Sequence, residues 1–162
     1  MSGHVQSGFT MIEILITVLV LSIGLLGLAA LQVTGLKESQ MAYMRSQAVL
    51  LAYDMADRIR ANPAAARDGD YSGAPVSSTQ DCESVDCDTS QMASYDRNAW
   101  LNALAFLPTG TGHVDDGGTP GDGEYTVSVC WDQGRTGVAI ATCDPDVALD
   151  DAVSVYRLDV AL

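Results

Sequence analysis

The sequence predicts an α+β fold: a long N-terminal helix, apolar in its first half and amphipathic in its second, packed against a small antiparallel sheet with disulfide-stapled loops. Three observations predict it. Residues 14–36 run for 23 positions without a charge, enough to cross a hydrocarbon core of about 30 Å as a helix. Directly after them, Met41, Met44, Ala48, Leu51, Met55 and Ile59 recur every three or four positions, which is the stripe of an amphipathic helix. Beyond residue 124 the chain instead alternates apolar and polar side chains in short runs, as half-buried strands do.

The two helical patterns join without a break, giving one helix of roughly fifty residues and about 75 Å at about 1.5 Å per residue. Its second half therefore outruns any bilayer and needs a protein surface to lie on. It is expected to end near Ala61, because Arg58 and Arg60 suit the negative end of the helix dipole and Pro63 disfavours helical geometry at Asn62. Residues 63–95, rich in Ala, Asp, Gly, Ser and Pro, read as an irregular loop. Asp96 is then expected to cap a short helix over residues 97–107, with Trp100, Leu101, Leu104 and Leu107 inward and Pro108 as the stop. GTGHVDDGGTPGDGE (110–124) reads as a glycine-rich turn. YTVSVCW (125–131) reads as a strand with Tyr125, Val127, Val129 and Trp131 on one face and Cys130 on the other. TGVAIA (136–141) and VYRLDVAL (155–162) read as two more strands, and the apolar faces of sheet and half-helix would bury each other.

The 162 residues leave room for one globular domain beside the apolar segment. The net charge of −13 falls entirely on residues 61–162, because the first sixty carry four basic and four acidic side chains. Such an acidic head repels phosphate backbones, so nucleic acid is not an expected partner. Cys82, Cys87, Cys130 and Cys143 all follow the apolar segment, and an even count there points to two disulfides formed in an oxidising compartment. Four cysteines allow three pairings. The local one, Cys82 with Cys87 and Cys130 with Cys143, is preferred over a zinc site, whose short Cys-x-x-Cys knuckles are missing.

One side chain does not suit an anchor. Glu13 stands at the head of the apolar run, where a carboxylate drawn deep would cost about 2 to 3 kcal/mol. It closes the stretch GFTMIE (8–13), which resembles the class III signal of type IV prepilins. The runs LSIGLLGLAALQ, AYDMADRIRANP, DRNAWLNAL and YTVSVCW further resemble the minor pilins called PilV, the type IV pilus modification proteins. The resemblance implies a leader over residues 1–8, cleavage between Gly8 and Phe9, and N-methylation of the Phe9 amine. It also implies that Glu13 pairs with that amine on a neighbouring subunit as a filament grows. Residues 9–36 would form the membrane and filament-core half of the helix, and residues 37–162 a periplasmic, later extracellular, pilin head that includes the half-helix 37–61.

On this resemblance the chain is a non-enzymatic minor pilin without a cofactor, held in the inner membrane as a single-pass precursor and displayed on the pilus at the cell surface after assembly. Its partners would be a prepilin peptidase, other minor pilins, the major pilin and the assembly platform in the inner membrane. Its role would lie in priming assembly at or near the pilus tip. A minor pseudopilin of a type II secretion system shares the same helix, Glu and peptidase. A secreted or anchored binding domain behind a signal peptide is a further alternative, cut after Gly27, Leu28 and Ala29. The leader holds His4 but no Lys or Arg, whereas Lys37 and Arg45 lie beyond the far end of the run, so orientation rests on the motif and the cysteines rather than on charge. No proline interrupts the helix, and Gly24 and Gly27 are among its residues of lowest helix propensity.

Two other constellations were weighed. His113 sits in a glycine-rich turn with no Cys or Ser nucleophile patterned around it, so no catalytic residue is expected. Asp115, Asp116, Asp122 and Glu124 offer oxygens to Ca²⁺ but lack the EF-hand spacing, and a solvated acidic loop is the expectation, with no metal site.

Overall fold

The computed structural model describes residues 8–73, 80–118, 122–137, 139–140, 143 and 152–162. They form α1 (Met11–Ala61), α2 (Pro63–Arg67), α3 (Thr89–Leu104), β1 (Thr111–Asp115), β2 (Glu124–Asp132) and β3 (Val153–Ala161). The chain divides into two compact units, Met1–Met41 and Ala42–Leu162. The first is the apolar half of α1, whose most apolar 18-residue window has a mean hydropathy of 2.8 and is 0 % buried. Every residue from 8 to 40 is exposed.

The second unit holds the core. α1 contributes Met44, Ala48, Ala52, Met55, Ala56 and Ile59, the amphipathic stripe shifted slightly toward its alanines, and it ends at Ala61, directly before Pro63 of α2. α3 lies against it, with the Trp100 Nε1–H donating to the carbonyl of Leu51 at 2.8 Å. The sheet is antiparallel in the order β1-β2-β3, and β3 reaches α1 where Tyr156 meets Tyr53. β2 is central and covered on both faces: besides Val127, Val129 and Trp131, the intervening Ser128, Cys130 and Asp132 are buried. Along β3 burial alternates, with only Val160 fully enclosed.

The expected elements differ from these in three places. The helix expected over 97–107 begins earlier, at Thr89, and its cap is Asp88, which accepts from the Gln91 N–H at 2.8 Å while the Gln91 side chain accepts from the Asp88 N–H at 3.0 Å. This reciprocal capping box sets the start. Asp96 lies mid-helix and points inward to bond Arg58 and Tyr71, so a polar residue that resembled a boundary is part of the buried face. Part of the expected irregular loop 63–95 is thus helical, in α2 and the first turns of α3.

The second difference is β1, which forms where a turn was expected. Gly112 is there for close approach: a Cβ at that position would strike the Trp100 ring and Leu104, so the glycine lets α3 lie flat on the strand. His113 accordingly sits on a strand opposite Ser128 rather than in a turn. Third, residues 136, 137, 139 and 140 of the expected strand 136–141 are not extended pairs; residues 138 and 141 lie outside the described set. The Asp132 carboxylate accepts from Gly137 N–H at 2.8 Å and Thr136 Oγ1–H at 3.2 Å, and Gly137 takes φ +80°. These contacts curl the chain back instead of extending it.

The cysteines form two local disulfides, Cys82–Cys87 and Cys130–Cys143. The second ties buried Cys130 of β2 to the following loop at Cys143, itself 3 % exposed.

Candidate processing and assembly site

The helix begins just after the Gly8–Phe9 bond. Gly8, Phe9 and Thr10 precede α1 in non-helical backbone, and the Thr10 carbonyl accepts the first turn's N–H groups from Glu13 at 3.1 Å and Ile14 at 3.4 Å. Glu13 is thus in the first turn, where its charge suits the positive end of the helix dipole. Phe9, Glu13, Ile14 and Thr17 line a shallow, mostly apolar recess around the helix start. Phe9 itself is 82 % exposed, which leaves the bond on its amino side open to an enzyme. Residues 1–7 of the expected leader lie outside the described set.

Polar groups farther along this half are handled internally. Thr17 Oγ1 donates to the Ile14 carbonyl at 2.8 Å, Ser22 Oγ to Val18 at 2.7 Å and Thr34 Oγ1 to Ala30 at 3.1 Å. Each hydroxyl folds back on the preceding turn, which suits a surroundings without water. Glu13 is the exception, because among the described residues no Lys, Arg or His nitrogen forms an ion pair with it. Three hydroxyls of the run are thus satisfied within the helix, while Glu13 has no ion-pair partner among the described residues.

The head pairs part of its buried charge internally, while buried Asp132 keeps one carboxylate oxygen, Oδ1, without a hydrogen-bond partner among the described residues. Arg58 bridges Asp54 at 3.0 Å and Asp96 at 2.9 Å, and Tyr71 Oη donates to the second Asp96 oxygen at 2.8 Å. Burial, reinforced by the neighbouring Asp96 carboxylate, pushes the Tyr71 pKa well above its ordinary value. Arg97 donates to the Asp70 and Gly73 carbonyls, and Tyr125 donates to the Ala66 carbonyl. These contacts hold α2 and the chain after it against α1, α3 and the sheet. Nothing in the residue pattern alone marks Asp96 and Tyr71 as partners, since they lie 25 positions apart in segments of low periodicity.

Of the acidic positions that could offer oxygens to Ca²⁺, Asp116, Asp122 and Glu124 line one open recess together with Asp159. Asp116 is buried and accepts from Ser72 Oγ–H and the Gly118 N–H, Asp122 accepts from the Glu124 N–H, and Asp115 ends β1. Among the described residues no three His, Cys, Asp or Glu side chains are grouped to hold a metal.

Comparison with known families matches residues 3–29 to the prokaryotic N-terminal methylation motif. Residues 30–98 match the family described as type IV pilin Tt1218. No curated protein and no solved structure matches the chain. The methylation motif falls on Gly8, Phe9 and Glu13 and on the exposed apolar helix, and the pilin match spans the rest of α1, α2 and the first part of α3. The chain is thus similar to type IV pilins over residues 3–98, its methylation-motif segment and the helical part of its head.

Proposed function

We propose that this chain is a minor pilin of the PilV type, made as an inner-membrane precursor with its head in the periplasm and incorporated into a type IV pilus. A prepilin peptidase removes residues 1–8 and methylates Phe9. Residues 9–36 then leave the membrane to pack among other minor pilins and the major pilin, while residues 37–162 form the exposed head. The subunit acts in priming assembly, at or near the tip, with the assembly platform of the inner membrane. The observation that carries this reading is the carboxylate of Glu13, without an ion-pair partner among the described residues, on an exposed apolar helix one turn from Phe9. Cleavage would create a cationic amine there, and a carboxylate in apolar surroundings is tolerated when an opposite charge meets it.

N-terminal sequencing of the mature protein tests it. The mature chain should begin at Phe9 with a methylated amine, and Gly8→Ala should accumulate precursor, because the peptidase must fit backbone with little side chain at that point. A mature chain beginning at Ala30 would overturn the proposal in favour of an ordinary signal peptide.

A further inference from the structure

The two disulfides sit in opposite surroundings. Cys130 and Cys143 are 0 % and 3 % exposed, so the head encloses that bridge. Cys82 and Cys87 are only half-buried, and Glu83, Ser84, Val85 and Asp86 between them are all exposed. Exchange with an outside thiol needs a path to a sulfur, so access makes Cys82–Cys87 the labile bridge.

The loop that this bridge closes is held lightly by everything else. Asp81 builds its turn: the side chain accepts from the Glu83 N–H at 3.1 Å and the Ser84 hydroxyl at 3.0 Å, and the carbonyl accepts from the Ser84 and Val85 N–H groups at 3.1 and 3.2 Å. The Glu83 carboxylate accepts from the Tyr95 hydroxyl of α3. Water competes for bonds in so exposed a loop. Opposing them, Asp81, Glu83, Asp86 and Asp88 crowd like charge into and beside the ring, and from Asp68 to Asp96 the sequence has no Lys, Arg or His. Their repulsion works against the closed loop and is relieved when it opens. The start of α3 is fixed separately, by the Asp88–Gln91 capping box and by Asn62 Nδ2–H donating to the Thr89 carbonyl at 2.7 Å. Opening the bridge therefore frees the loop and leaves the helix.

The same carboxylates select the reductant. An anionic thiolate approaching the bridge is repelled, whereas a thiol carried beside a positive charge is drawn in. We propose that Cys82–Cys87 is a redox-sensitive latch, opened by a thiol in cationic surroundings to release the acidic loop ahead of α3, while Cys130–Cys143 keeps the head folded. The outside thiolate attacks one sulfur, the S–S bond breaks and the other cysteine leaves as thiolate; a second outside thiol then displaces the first cysteine from the mixed disulfide. The two cysteines take up two electrons and two protons, and the two outside thiols are oxidised to one disulfide. The latch does not depend on the pilin reading, because it rests on the two bridges and on the charge around one of them.

The test uses the full-length chain in detergent at low salt. Reduction by cysteamine, a cationic thiol, is quenched with an alkylating reagent and mapped by mass spectrometry. Label should enter Cys82 and Cys87 before Cys130 and Cys143. Short-pulse hydrogen exchange at Glu83, Ser84 and Val85 should then rise while the fluorescence of Trp100 and Trp131 holds its folded value. At equal thiolate concentration the anionic mercaptoethanesulfonate should react about tenfold more slowly, and salt should narrow that gap. The Cys82→Ser, Cys87→Ser variant should show the fast loop exchange without any thiol. Label entering Cys130 and Cys143 first or at the same time, or loop exchange unchanged after reduction, would overturn the latch; equal rates for the two thiols would overturn its choice of reductant. If the variant does not fold, label order and exchange in the wild-type chain decide.

Discussion

One helix serves two regions with opposite bookkeeping. From residue 8 to 40 every side chain is exposed, and the one charge in the apolar run's first turn, Glu13, has no ion-pair partner among the described residues. From Met44 to Ile59 the same helix buries a face against α3 and the sheet, and near its end Arg58 pairs with Asp54 and Asp96, and Arg60 with Asp57. The head is therefore built to be stable by itself, whereas the apolar half is built to be completed by something else. Changes in the head should lower its stability, and changes in the apolar half should leave that stability alone while altering what the chain joins. Both tryptophans, Trp100 and Trp131, lie in the head, so tryptophan fluorescence of the full chain in detergent reports head unfolding selectively.

The largest loss of head stability is expected from serine at both Cys130 and Cys143. That bridge closes a span of 13 residues against five for Cys82–Cys87, and loop-closure entropy gives about 3 kcal/mol for the first and about 2 kcal/mol for the second. A greater loss from the Cys82, Cys87 pair in denaturant titrations would show that chain entropy is not what the bridges supply. Asp96→Ala comes next, at about 2 kcal/mol, because it leaves Tyr71 only the more distant Arg58 carbonyl at 3.3 Å and Arg58, a third exposed, with Asp54 alone. Asp96→Asn, which keeps an oxygen for Tyr71, should recover part of that loss.

A smaller effect is specific to pH. Because the folded-state pKa of Tyr71 is raised, its contribution is complete below the unfolded tyrosine value of about 10 and is lost as pH rises above it. Stability of the wild-type head should therefore fall with alkaline pH, and Tyr71→Phe should flatten that fall. Tyr125, also raised by burial, leaves a residual slope. An equal alkaline slope in the variant would mean that Tyr71 ionises as freely in the folded head as in water.

Much of this division was legible in the sequence. The length of the apolar run, the stripe beginning at Met41 and the terminator Pro63 fix α1, because a helix of this length is governed by local periodicity. Elements whose identity depends on distant partners were harder to read. Asp96 reads locally as a cap because the groups that donate to it, Arg58 and Tyr71, are far away in sequence. The residues before it hid a helix start whose signal, Asp88 with Gln91 three positions on, was present in the capping-box spacing. β1 was obscured by glycines whose purpose is to admit Trp100, and the run 136–141 was strand-like in composition but is curled at Gly137 by the Asp132 carboxylate. At the candidate site, the stretch from Gly8 to Glu13 can be read from local order alone, whereas the contact of the Tyr43 and Phe106 rings exists only once the chain after α3 returns to α1.

If Glu13 is kept for a charge that the described residues do not supply, Glu13→Val removes that role and leaves the head as it is. The substitution removes a desolvation cost and touches nothing in the head, so the unfolding midpoint read by tryptophan fluorescence should not move, and the protein should reach the membrane and be cut at Phe9. The measurement is its abundance in sheared filaments relative to its membrane level, in cells whose only copy is the variant. The account predicts a folded, cleaved subunit that is lost from filaments, because the Phe9 amine would be buried there without its counter-charge; wild-type abundance of Glu13→Val in filaments would contradict it.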